Sequence, residues 1–309
     1  MESRNSRGYV TFADILGWKG IWQFRRQTSP VDSLLKIRRD MNDYIVVMKK
    51  KYNGHLIQNE LSNFFDDESR RLILAKIKRS STSIEGIILP FLKTQEEKKA
   101  VISELDKYKI DISIELISDT FVITTSGENS AYELFLHALL AQSLIVACLK
   151  NGFLIRGATS YGEYYKQELI FVGPAIDDSA SWHEMGEEIG IFFTPKALLT
   201  IENDDIDIRK FNIKEELLES IMFKCRPEIK TQTYETYMID WSNGAIGFNK
   251  ILLEYSTILP DIQKKILFSK KRLVELMEKK VIIDKRKNCK TLSNDELKKL
   301  RDILNNMEL

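Results

Sequence analysis

Two β-type runs, about a hundred residues apart, each carry one aspartate, and this feature constrains the chain most. The first includes Phe12-Ala13-Asp14-Ile15-Leu16-Gly17-Trp18, and the second Ile114-Glu115-Leu116-Ile117-Ser118-Asp119-Thr120. A lone carboxylate in or beside an apolar strand costs free energy unless it is paired or bound to a metal. Two of them on neighbouring strands form a site for a hard divalent cation, which takes oxygen ligands. The fold is therefore expected to bring these distant segments side by side.

The pattern around them is α+β. Val10 to Ile15 reads as a strand. Ser29 and Pro30 resemble an N-cap and first-turn pair, and Leu34, Ile37, Met41, Ile45 and Met48 follow at helical spacing. Residues 52–108 are less regular and read as an insertion with some helix, near 95–108. Ile110 to Leu116 and Thr120 to Thr125 read as a hairpin turning at Ser118-Asp119. Tyr132 to Leu149 is a strongly apolar helix, and Phe153 to Tyr165 a strand. Leu169 to Val172, a Gly173-Pro174 break, a helix over 175–185 and strands at 189–194 and 234–241 complete the order. This is a ferredoxin-like elaboration, with helices over a mostly antiparallel sheet. We divide the chain into residues 1–245, one domain with the insertion, and residues 246–309, a C-terminal helical appendage. A capping box at Ser293-Asn294-Asp295-Glu296 precedes a final helix. The tail carries 15 Lys/Arg against 9 Asp/Glu, which fits either a solvated basic face or a dimerisation or partner-docking arm.

Composition excludes several classes. A net charge of +1 argues against a protein that coats nucleic acid. Cys148, Cys225 and Cys289 are odd in number and unclustered, forming neither a disulfide framework nor a zinc site, which favours a reducing cytoplasm. No apolar signal segment is read at the N-terminus. The longest apolar stretch, 138–149, is too short to span a bilayer and reads as a buried helix. The three histidines share no metal-ligand spacing, and His137, in the apolar helix, reads as a satisfied core residue. Gly17 and Gly20 precede a helical turn whose N–H groups suit phosphates, as an ordinary turn also does. Arg156, Arg226 and Lys230 are the candidate phosphate cations. Glu115 suits a hydrogen bond from a base N–H, or solvent.

Four segments in order resemble the class III nucleotide cyclases, over about residues 8–241. Phe12 to Trp18 resembles the family's first metal segment, and Ile117-Ser118-Asp119-Thr120 the second. Arg156 and Gly162 resemble the Arg and Gly of the strand after the long helix. Gly173-Pro174-Ala175-Ile176-Asp177-Asp178 occupies the place of the next strand-to-helix turn. Within the family the chain is most similar to the cytoplasmic pyrimidine cyclases of bacterial antiphage (Pycsar) systems. The resemblance implies a class III cyclase homology domain that makes cyclic UMP, or cyclic CMP, from the pyrimidine triphosphate. A separate cyclic-nucleotide-activated effector would respond to phage. It implies two Mn²⁺ or Mg²⁺ ions held by Asp14, Asp119 and the Ile15 carbonyl, with Arg156 catalytic. Gly17, Trp18, Ile15, Glu115, Asp178 and Lys230 would bind substrate. It also implies a homodimer with sites at the interface, and neither membrane nor nucleic-acid partners. Two positions depart from adenylate cyclases. Glu115 stands where they carry a base-reading Lys, and no Arg lies near Ser181 or Trp182. A purine (guanylate) cyclase, a catalytically silent nucleotide-binding regulator and a palm-type polymerase are the alternatives.

Overall fold

The computed structural model describes residues 5–18, 29–80, 83–128, 130–203, 218–231, 233–255 and 260–288. Gly20, Cys289 and the capping box at Ser293 lie outside these residues.

In chain order the elements are β1 (Asn5–Ile15), α1 (Pro30–Gln58), α2 (Asp67–Arg79), α3 (Ile84–Ile88), α4 (Gln95–Asp106), β2 (Ile110–Ile117), β3 (Thr120–Gly127), α5 (Ser130–Lys150), β4 (Ile155–Gln167) and β5 (Ile170–Val172). Then follow α6 (Pro174–His183), β6 (Gly190–Phe193), α7 (Pro195–Asn203), β7 (Met222–Cys225), β8 (Thr236–Ile239), α8 (Ala245–Tyr255) and α9 (Pro260–Asn288). The molecule is α+β, with one eight-stranded sheet in the order β2-β3-β1-β4-β6-β8-β7 and β5 paired to β4. Only β4 and β6 pair in parallel; the other described pairs are antiparallel. The first four strands run β-α-β-β-α-β, so β1 and β2 are parallel with β3 between them, a split βαβ arrangement.

Alternation along β1 sets the two faces. Tyr9, Ala13 and Ile15 join the main core with Leu34, Ile37 and Met41 of α1 and Leu140, Leu144 and Cys148 of α5. Val10 packs instead on Ala175 and Ile176 of α6, with Phe12 beside them. Asp14 shares the period-2 face of Val10 and Phe12, so it stands away from the main core. Pro30 opens α1 as expected, although the Ser29 side chain makes no cap hydrogen bond. Thr94 and Glu97 form a full capping box at α4.

Three boundaries differ from the sequence reading. α1 runs through residue 52 to Gln58, so the insertion starts later than expected. Its helices then build a second small core around Ile57, Leu61, Ile73, Ile77, Ile88 and Val101. The tail is not peripheral, because Phe248, Ile251, Ile262, Ile266, Leu273 and Leu276 lie in the main core. The apolar helix was also placed too short. α5 has 21 residues, enough to cross a bilayer by length and composition, and 67% of its most apolar window is buried inside the protein. His137 on that helix is fully buried. It is satisfied by Thr11 (2.7 Å) and Thr125 (2.9 Å), and burial pushes its pKa down to about 3.

Glu133, one turn earlier, is buried at 1% exposure, and its Oε1 has no hydrogen-bond partner. It sits against Gly8, where an added Cβ would lie 2.5 Å from that oxygen and 2.0 Å from the Thr125 carbonyl, so only glycine fits. Burial pushes the Glu133 carboxyl from 4.5 up to about 9, against the lowering pulls of the Tyr9 backbone and Arg7. Between those values the folded chain keeps a proton that the unfolded chain has lost, so stability falls as pH rises. Glu133→Gln removes this dependence. It is expected to exceed wild type by about 2–4 kcal/mol at pH 8, with the gap closing below about pH 5. Urea melts across that range measure it; a gap that does not change with pH would contradict the assignment.

Candidate functional site

The register brings the two aspartates together. Asp14 lies opposite Thr120 on β3 and opposite Arg156 on β4. Asp119 is in the turn just before Thr120, and its carbonyl accepts the Ile15 N–H at 3.1 Å. The turn is tight enough to hold Ser118 at φ +59°, an uncommon value for a residue other than glycine. At the other end of the connection, Gly17 has φ +73°, which lets the chain turn sharply after β1. The Ile15 side chain is buried in the core, so only its backbone is left to serve a ligand. Trp18 is half-buried against the same core and anchors the turn.

Arg156 neutralises one aspartate. Its Nε donates to Asp14 Oδ1 at 3.1 Å and its Nη2 to Oδ2 at 3.4 Å, a bidentate fork. Its Nη1 donates to the carbonyls of Glu184 (3.1 Å) and Gly186 (3.2 Å). All three nitrogens are thus engaged, with only 13% of the side chain exposed. Sequence reasoning offered Arg156 as a phosphate cation; here it is the counter-ion of Asp14. The Asp119 carboxylate is half-buried and has no partner among the described residues. Asp119 and Asp14 are hard oxygen donors of the kind Mg²⁺ or Mn²⁺ prefers, but Arg156 holds Asp14, and no third His, Cys, Asp or Glu joins them in a group among the described residues.

Glu115 lies on β2, on the Asp14 face, and is doubly paired. Arg38 Nη2 of α1 is 2.6 Å from Oε2, and Lys166 Nζ from the end of β4 is 3.5 Å from Oε1. Lys166 also donates to Ser113 Oγ at 2.6 Å. Arg38 and Lys166 went unremarked in the sequence. They sit on an amphipathic helix and at a strand end, where a basic residue carries no signal until the fold places it.

Two expected substrate residues take other roles. Asp178 Oδ2 accepts hydroxyl bonds from Ser160 (2.6 Å) and Thr194 (2.7 Å), which pins α6 to the sheet. Its position as a helix residue facing β4 makes it a fastener. Lys230 is exposed, and its backbone N–H donates to the Met185 carbonyl at 2.9 Å. It borders the loop that holds Arg156 and makes no hydrogen bond or ion pair to Asp14. Arg226 faces α9 instead.

That loop is held from behind by the C-terminal helix. Glu188 is 3% exposed, Arg272 is 7% exposed, and they pair bidentately at 3.0 and 3.1 Å. The Glu228 N–H donates to Glu188 (2.9 Å), and Ser269 Oγ accepts the Ile189 N–H (2.8 Å). Burial works against the Arg272 charge, but its bonds to Glu188 outweigh this and hold its pKa above the ordinary arginine value. The chain of contacts is α9, Glu188, Gly186, Arg156, Asp14.

A cleft of about 1540 Å³ reaches Lys166, the Glu115 partner, but lies mostly away from Asp14. It includes Ser6, Arg7, Ser126 and Gly127, at the opposite end of the strands from Asp14. Eight residues of strand separate Ser6 from Asp14, about 26 Å. No family model matches this chain, and no curated protein matches it.

Proposed function

We propose that the protein is a divalent-metal-dependent nucleotide cyclase. It would convert a pyrimidine triphosphate, UTP in preference to CTP, to the 3′,5′-cyclic nucleotide and pyrophosphate. The observation that carries this reading is the register that sets Asp119 beside Asp14 on adjacent strand ends, with Arg156 on the third strand. The class III cyclase domain and its Pycsar branch rest on the sequence resemblance, and the split βαβ arrangement of β1 to β4 is compatible with them.

Asp14, Asp119 and the Ile15 carbonyl would hold the ions. Bound there, such ions would lower the pKa of the ribose 3′-hydroxyl and screen the triphosphate. The chain's own contribution is placement. Gly17 lets the backbone turn close to the site, and the carbonyls of Glu184 and Gly186 fix the Arg156 guanidinium against Asp14. Arg156 holds Asp14 oriented before substrate arrives. A two-fold homodimer with shared sites is part of the proposal. Leu169 in the β4–β5 connection and Ile170 and Val172 of β5 support it, exposed at 60%, 62% and 50%. The product would act on a separate effector in the cytoplasm.

The Glu115 environment bears on base choice. Its carboxylate is already bound by Arg38 and Lys166, so it sets those two donors as well as offering an acceptor. Glu115→Ala is expected to blunt the preference among UTP, CTP, GTP and ATP at a cost of about 1–3 kcal/mol for the favoured base. Unchanged relative rates across the four would remove Glu115 from recognition.

A second reading, a catalytically silent nucleotide-binding regulator, is favoured by the Arg156–Asp14 pair, which occupies one of the two carboxylates. Purified protein incubated with each triphosphate and Mn²⁺, with products read by mass spectrometry, tests the first reading against it. A cyclic mononucleotide supports the enzyme. Triphosphate binding with no product supports the silent module.

A further inference from the structure

A second charged cavity, of about 400 Å³, lies between the β7 segment and α9, lined by the cations Lys224, Arg226, Lys271 and Arg272, the carboxylates Glu228 and Glu275, and Cys225, Thr233 and Phe268. The nucleotide reading does not use it. Its cations differ in how they are spent. Arg272 is saturated by Glu188, Glu275 and the Arg226 carbonyl, so it forms a wall. Lys224, also in the lining, is committed to Glu202 (2.9 Å) and Glu235 (3.6 Å). Arg226 and Lys271 are exposed and have no ion-pair partner among the described residues.

We propose that this cavity binds a small phosphorylated anion, with Arg226 and Lys271 as its ligands. Glu275 is spent on Arg272, so Arg226 and Lys271 face the cavity against one carboxylate, Glu228; the cations outnumber it, and an anion between them offsets the remaining positive charge. The planar fork of an arginine beside a lysine point charge suits phosphate oxygens. The volume is that of a small-molecule site. Only Phe268 offers an apolar surface of any size in the lining, and Lys264 already covers its ring at 5.5 Å, which disfavours an apolar ligand. The cavity wall is the same Arg272 that holds the Glu188 loop, so occupancy would stiffen the far end of the contact chain leading to Arg156.

Pyrophosphate and inorganic phosphate serve as probes, titrated calorimetrically into the full chain in EDTA, so that metal-dependent binding near Asp119 cannot contribute. Saturable one-to-one binding of either probe is expected. It should weaken at least tenfold in Arg226→Gln/Lys271→Gln and persist in Asp119→Asn. Both substituted side chains are exposed, and an unchanged circular dichroism melt confirms the fold. Hydrogen exchange should slow over 222–225 and 268–275 on binding. Absence of saturable binding of both probes, or affinity unchanged in the double variant, overturns the proposal. Neither result touches the cyclase reading.

Discussion

Asp119→Ala is expected to lower cyclic-nucleotide formation by about a thousandfold or more while leaving the melting temperature near that of wild type. The activity loss follows because the substitution removes an anionic ligand that no neighbour can replace, and catalysis by a metal pair depends on its charge and position. The unchanged stability follows because the Asp119 side chain has no partner among the described residues to lose. Asp14→Ala is expected to match the activity loss but differ in stability. It leaves the Arg156 guanidinium, only 13% exposed, without its counter-ion. Stranding a half-buried charge costs about 2–3 kcal/mol. Urea denaturation beside the product assay separates the two. Equal stabilities would mean that the Arg156–Asp14 pair is worth nothing in solution, and activity retained in either variant would remove that aspartate from the site.

Arg272→Ala is the largest expected stability effect, about 3–5 kcal/mol, because it leaves the Glu188 carboxylate buried and unpaired. Among the described residues, Glu188 would keep only the Glu228 N–H as a donor. The loss should also reach the site. With this tie to α9 gone and those from Ser269 and Lys264 left, the segment from Glu184 to Ile189 would hold Arg156 less firmly through the Glu184 and Gly186 carbonyls. Arg272→Met, which keeps the packing volume without the charge, should destabilise comparably, and Arg272→Met with Glu188→Leu should recover most of the stability. Additive losses in the double variant would show that the pair does not act as a unit.

Much of this was legible in the sequence, and the reasons differ by element. Alternation marked β2, a continuous β-branched run marked β3, helical spacing marked α1, and an unbroken apolar run marked α5, because one-sided burial leaves a period and burial on both sides leaves a run. The Ser118-Asp119 turn followed from the break between two β-branched runs. The short strand Met222–Cys225 was missed, since four residues carry too little periodicity to read. The tail was misplaced for a different reason. Its apolar positions predicted an amphipathic helix correctly, but periodicity says only that a face is buried, not against what. At the site, the two aspartates and Arg156 were legible as residues, whereas the bond between Asp14 and Arg156 was not. It depends on strand register across 142 positions. The same holds for Arg38 and Lys166 meeting at Glu115, and for Asp178, whose motif position concealed two hydroxyl partners.

The central claim is an intramolecular attack of a ribose 3′-oxygen on the α-phosphorus with loss of pyrophosphate. Phosphorus-31 magnetic resonance on purified protein with UTP and Mg²⁺ follows that bond change directly. The account predicts that the three triphosphate signals decline together. One cyclic phosphodiester signal and pyrophosphate should grow in their place in equal molar amounts, with both absent in Asp119→Ala. An unchanged triphosphate spectrum over many hours with folded protein, or pyrophosphate released with a linear oligonucleotide in place of the cyclic product, would contradict it.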